Sequence, residues 1–273
     1  MKRMHRTRWT SAVALVGAAL AIHSTQAHET WLLPESFDPP AGKPLVLRMT
    51  SGMGFPDMDS AIDPSRVARA TLLQNGKSVD LTADSVGGGA LLLEATPQAG
   101  PACASVLLHP RVLEIPEFAD VEHYLDEVGA PAAVWDTWRA TCDTDVWRES
   151  YSKLARSFLR GGEDAEAAPC WTASGDTRFD VLPTVDPSDL RSGQTLPLRV
   201  LLDGEPLAGQ AIGVVREGHS PEPLRHADAY GRVVIDISGP GRHMIYATNL
   251  RPADAEDANW ESDFVTLTFE VSE

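Results

Sequence analysis

Short apolar runs separated by turn residues dominate the chain from position 28 to about 115. "PLVLRM", "ARATLLQNGKSVDL", "GGGALLLEATPQAG" and "ACASVLLHPRVLEI" read as strands, and Asn75-Gly76 is a hairpin signal. Turns at this spacing suit an antiparallel sandwich. The last third alternates more cleanly. Leu196, Leu198, Val200 and Leu202 share one face before an Asp203-Gly204 turn, Val233, Ile235 and Ile237 another, and Val265, Leu267, Phe269 and Val271 a third. "ADAYGR" lies between them as a turn that leaves Gly231 free to take a positive φ.

The period changes at Pro116. Phe118, Val121, Leu125 and Val128 form one stripe of a helix closed by Gly129. In "DTDVWRESYSKLARSFLRGG", Trp147, Tyr151, Leu154 and Phe158 fall on one helical face. Asp143 and Asp145 suit the positive end of its dipole, Glu149 and Lys153 form an i,i+4 pair, and Gly161-Gly162 stops it. The expectation is a mainly β protein: two antiparallel β-sandwich units, Ig-like or transthyretin-like, with a helical insert between them. The expected segments are 28–115, 116–177 and 178–273.

The first 27 residues read differently. Lys2, Arg3, Arg6 and Arg8 precede the apolar run "SAVALVGAALAI", and Thr25 and Ala27 occupy the −3 and −1 positions of a signal-peptidase site. The run is short for a membrane span, and no cysteine follows it closely. This predicts export, cleavage before His28 and a periplasmic product that is not membrane-embedded. The formal charge of −16, made more negative when four basic residues leave with the leader, argues against nucleic acid as a partner.

Of three cysteines, Cys142 and Cys170 flank the expected second helix, so a Cys142–Cys170 bridge is predicted, with Cys103 a buried thiol. No GxSxG, HExxH, CxxC, P-loop or GxGxxG occurs, and "SVGGGA" lacks the helix that a phosphate cradle needs. No catalytic residue is assigned.

Histidines carry the candidate chemistry. Cleavage before His28 would place an α-amine and an imidazole on one residue, a chelating pair for Ni²⁺, Co²⁺ or Cu²⁺ once the amine loses its proton. His226, before the "ADAYGR" turn, and His243, in "GRHMIYATN", are the candidate further metal ligands, with His219 behind them. The bland alternatives are a frayed terminus for His28, a core histidine for His243 and solvated loops for the others. His123 with Asp126 and Glu127 reads best as a solvated helix face. Met49, Met53 and Met58 read as packing, and Trp135, Trp138, Trp147 and Trp260 as the covering of helix faces rather than a sugar platform.

Two resemblances follow from these residues. "DGEPLAGQAIGVV" with "HADAYGRVVIDISGPGRHMIYA" resembles the carboxypeptidase-regulatory or transthyretin-like repeat, with Ala227 where Thr is usual. "AHETWLLPESF", "HYLDEVGAP", "WRESYSKLAR", "VDPSDLRSGQTLPLRVLLDGEPL" and "NWESDFVTLTFE" resemble, in order, the periplasmic family called domain of unknown function 4198. That resemblance implies a nickel-uptake association, with a metal ion as cargo and a membrane metal transporter as partner. The leading expectation is a non-enzymatic protein that captures or delivers nickel or cobalt. A copper histidine-brace oxidase and a metal-free module binding an envelope protein or glycan are the alternatives.

Overall fold

The computed structural model describes residues 29–142, 144–161, 168–175, 177–253 and 255–273. In chain order the first strands are β1 (Glu29–Pro34), β2 (Leu45–Gly52), β3 (Ser60–Ala61), β4 (Val67–Gln74), β5 (Lys77–Asp80), β6 (Thr82–Gly87), β7 (Ala90–Ala95), β8 (Ala102–Leu108) and β9 (Arg111–Ile115). Helices α1 (Phe118–Glu127) and α2 (Ala132–Thr141) follow. The remaining strands are β10 (Trp147–Leu159), β11 (Phe179–Pro183), β12 (Thr195–Leu202), β13 (Glu205–Pro206), β14 (Ala211–Arg216), β15 (Arg225–His226), β16 (Arg232–Asp236), β17 (Gly241–Pro252) and β18 (Trp260–Val271). The described residues are mainly β with two short α-helices, in the layered antiparallel style the patterning predicts.

Three sheets form among the described residues. A large one runs β15-β14-β17-β18-β10-β8-β4-β5, with β9 beside β10. A second runs β1-β2-β7-β6 with β3 on β2, and a third runs β11-β12-β13 with β16 on β12. Strands from before and after the helices therefore share the large sheet, which joins them through the parallel β10–β18 pair. The large sheet is the middle layer. Leu72, Ala104, Val106, Ala155 and Leu159 on one face pack with Trp31, Leu47 and Leu93 of the second sheet. Leu154, Phe158, Ile245 and Leu267 on the other face pack with Val181, Leu198 and Val200 of the third. The hydroxyls of Thr266 and Thr268 reach across the first interface to the carbonyls of Thr30 and Leu32 at 2.6 and 2.5 Å.

This layering corrects the expectation of a second helix over 143–162. Its described core is strand β10, a 13-residue central strand buried at every position from Lys153 to Leu159. A strand covered on both faces loses its period-2 alternation, and an unbroken apolar run is then easily read as a helix. Ala155, Ser157 and Leu159 point to one side and Leu154, Arg156 and Phe158 to the other.

The disulfide is corrected for the same reason. Cys103 of β8 is bonded to Cys170, and Cys142 is the free cysteine. A helix between Cys142 and Cys170 would rise only about 1.5 Å per residue, whereas extended chain rises about 3.3 Å. The strand thus carries Cys170 past the helical end and into the core shared by the middle and third sheets, where Cys103 also lies. Cys142 remains at the C-cap of α2, against the cluster formed by the helices.

Other local readings agree. Asn75 and Gly76 turn β4 into β5 with φ of 52° and 70°, and Asp203 and Gly204 turn β12 into β13 with φ of 51° and 82°. Helix α1 ends at Glu127 before Gly129, as its stripe predicts. Among the described residues, no helix is long and apolar enough to cross a membrane.

Candidate functional site

A cavity of about 390 Å³ opens where β1 and the β2–β3 loop meet the end of α1, β14 and β17. Trp31 and Phe55 form one wall, with ring centroids 5.9 Å apart and edge to face. Opposite them, Gly213 of β14 pairs with Tyr246 of β17. A side chain at Gly213 would run into the Tyr246 ring, so the glycine is what lets the phenol lie over β14. Glu127 and Val128 close the top, and His219 stands at the rim.

Glu29 places a carboxyl in this largely apolar setting. It is the first residue of β1 and pairs with Gly52. Its Oε2 atom is buried without a hydrogen-bond partner among the described residues. Burial pushes its carboxyl up to about 7, opposed by the charge of Lys153 and reinforced by that of Glu127. Tyr246 is pushed up to about 12, first by burial and then by the Glu29 and Glu127 charges.

Behind Glu29 lies a buried polar row on β10. The Lys153 ammonium sits 4.7 Å from the Phe264 ring and 5.5 Å from that of Tyr151, and burial brings it down to about 8. Glu149 is fully buried and accepts from Tyr124 Oη at 2.8 Å, from Trp147 Nε1 at 3.0 Å and from the Ser262 hydroxyl. Burial raises its carboxyl despite those three donors. The Glu149–Lys153 spacing that suggests a helical pair instead puts both side chains on one face of a strand, where residues four apart lie about 13 Å apart.

The expected ligands are distributed unevenly. His28 lies outside the described residues. His226 is exposed on β15 and pairs with Ala211, so it shares the sheet face of the cavity-lining Ala211 and Leu224. His243 pairs with Arg216 and Phe269 on the opposite face, its ring stacked on Phe269 at 5.6 Å between centroids. Its Nδ1 bonds the Gly241 carbonyl at 3.0 Å, its Nε2 is buried without a partner among the described residues, and burial lowers its pKa. Five positions of β14 separate the two registers, about 17 Å of strand. His226 and His243 therefore do not share one ion. His219 lies against the Arg216 guanidinium, Nδ1 to Nε 3.2 Å, a cation beside any ion it would bind.

Met49 lies in the core between the middle and second sheets with Met58 packed against it, while Met53 is exposed at the cavity, so the three methionines do not gather at one point. Trp147 stacks on Trp260 at 4.5 Å, and both are buried with Trp138 under the helices. Among the described residues, no three His, Cys, Asp or Glu side chains gather as a metal site. Patterning gave no signal for Tyr246 or for the burial of Glu29, whose one visible mark is its place beside His28 in "AHETW".

Comparison with known families defines the class. The chain matches the family described as "Domain of unknown function (DUF4198)" over residues 25–250 and belongs to it. No curated protein matches it. Among solved structures it is similar to three N-terminal domains of the bacteriophage RB49 Highly Immunogenic Outer Capsid protein (Hoc), at 12% identity and a TM-score of 0.18. That alignment covers 89% of this chain and 59% of the other, and a score so low transfers neither fold nor function.

Proposed function

We propose that this protein is an exported, non-enzymatic metal carrier of the periplasm, taking up nickel or cobalt as cargo and passing it to a membrane transporter. The observation that carries the reading is Glu29: a carboxyl with a buried oxygen that has no partner among the described residues, lining a cavity and bonded in sequence to His28. Cleavage before His28 would place an amine, an imidazole and a carboxyl on two consecutive residues. Nitrogen with carboxylate oxygen suits borderline divalent ions. His226 faces the same side and is the third nitrogen in this reading, whereas His243 faces the other core. A disulfide suits an oxidising compartment. The "DGEPLAG" and "HADAYGR" turns support a transthyretin-like reading of the C-terminal β region.

Calorimetric titration of the cleaved, tag-free protein with Ni²⁺, Co²⁺ and Cu²⁺ tests the proposal. One ion should bind with release of about one proton. An Ala inserted before His28, or His28→Ala, should weaken binding sharply, His226→Ala should weaken it, and His109→Ala, between β8 and β9 and not among the cavity-lining residues, should leave it unchanged. Equal binding by the Ala-extended and native forms removes the reading. Turnover with a reductant and oxygen on the Cu²⁺ form would move the assignment to the oxidase alternative. The apolar walls of Trp31, Phe55 and Tyr246 favour a second reading, a metal-free site for a small organic ligand, if no ion binds.

A further inference from the structure

A second cavity, of about 190 Å³, lies on the far side of the middle sheet, near the disulfide. Its floor is a row across three neighbouring strands. Ser105 of β8 pairs with Thr71 of β4 on one side and with Arg156 of β10 on the other. Residues directly opposite in an antiparallel sheet share a face, so two hydroxyls and a guanidinium stand side by side at the strand spacing of about 4.8 Å. All three line the cavity.

Arg156 is only 3% exposed, yet its Nε and Nη1 atoms have no partner among the described residues. Its Nη2 reaches the Cys170 carbonyl at 3.5 Å. The buried Asp180 does not take up those donors: it accepts from Ser174 Oγ at 2.5 Å, Gly175 N at 3.1 Å and Thr177 Oγ1 at 3.4 Å. Arg69, also lining the cavity, donates to the Gly175 carbonyl and adds a second positive charge. A buried guanidinium with unmade hydrogen bonds is costly, and the donors aligned beside it are those an oxyanion accepts from.

We propose that this cavity binds a small inorganic oxyanion of the sulfate or phosphate type, held by Arg156 and the hydroxyls of Thr71 and Ser105. The site is independent of the metal reading and lies on the opposite face of the sheet.

Titrating the purified mature protein separately with sodium sulfate and sodium phosphate, by calorimetry at fixed ionic strength with chloride as control, tests the site. The expected result is saturable binding of one or both oxyanions with a Kd of about 1 mM or tighter. Affinity should fall at least tenfold in Arg156→Lys, which keeps the charge but loses the planar fork. It should fall at least threefold in Ser105→Ala and in Thr71→Val, which leave the buried charge in place and cover the case in which the Arg156 variant does not fold. No saturation in the native protein, or equal affinity in the native protein and the hydroxyl variants, overturns the proposal.

Discussion

The hydroxyl of Tyr124, on α1, donates to Oε1 of Glu149, on β10, at 2.8 Å, and both residues are shut off from solvent. This bond ties the helical segment to the middle sheet beneath the candidate metal site. Tyr124→Phe removes one of three donors to a buried carboxylate and should cost about 1–3 kcal/mol in urea unfolding. Glu149→Ala should cost more, about 3–5 kcal/mol, because it leaves buried donors unpaired and a cavity besides. Equal stability of Tyr124→Phe and the native protein would show that water replaces the phenol.

Stability should respond to pH through Glu29. Its carboxyl lies at about 7 in the folded protein, above the ordinary 4.5. A raised folded pKa means that the stabilising contribution is full below 4.5 and is lost as pH rises through 7. Native protein should therefore lose stability between pH 5 and 7 relative to Glu29→Gln, measured as denaturant midpoints at a series of pH values. Parallel profiles for the two would place the carboxyl in solvent.

His243 should give the opposite slope. Burial lowers its imidazole below the ordinary 6.5. Its contribution is full above 6.5 and is lost as pH falls through the folded value, because the ring must then charge inside the core. The loss should vanish in His243→Gln. An NMR titration of the ring that starts above pH 6.5 would contradict this.

The Cys103–Cys170 bridge spans 67 residues. In the chain-entropy model a loop of that length stabilises the folded state by about 4 kcal/mol. Cys170→Ser should lower stability by an amount of that order, while Cys142→Ser should have an effect within about 0.5 kcal/mol. Non-reducing peptide maps should show the 103–170 link, with thiol reagents labelling Cys142 alone.

Gly213→Ala tests the cavity wall. The new methyl group meets the Tyr246 ring and must displace it. Overpacking of this kind costs about 1–3 kcal/mol, and the cavity should change shape while the fold persists. Unaltered ring resonances of Tyr246 in the variant would show that the strand backbone yields instead.

The sequence alone determined what depends on near neighbours. Strands with one covered face, the Asn75-Gly76 and Asp203-Gly204 turns, and helix α1 with its glycine stop are all readable, because period and turn chemistry are local properties. The tertiary structure decided everything that depends on layering. Whether "SYSKLARSFL" is helix or strand turns on a sheet lying over each of its faces, and the partner of Cys103 turns on that strand's length. The same holds for function. His226 and His243 look equivalent along the chain, yet an antiparallel register puts them on opposite faces of one sheet. Glu29, Lys153 and Arg156 are ordinary charged residues in sequence, and it is the exclusion of water by two neighbouring sheets and a helical cover that makes their protonation and their unmade hydrogen bonds consequential.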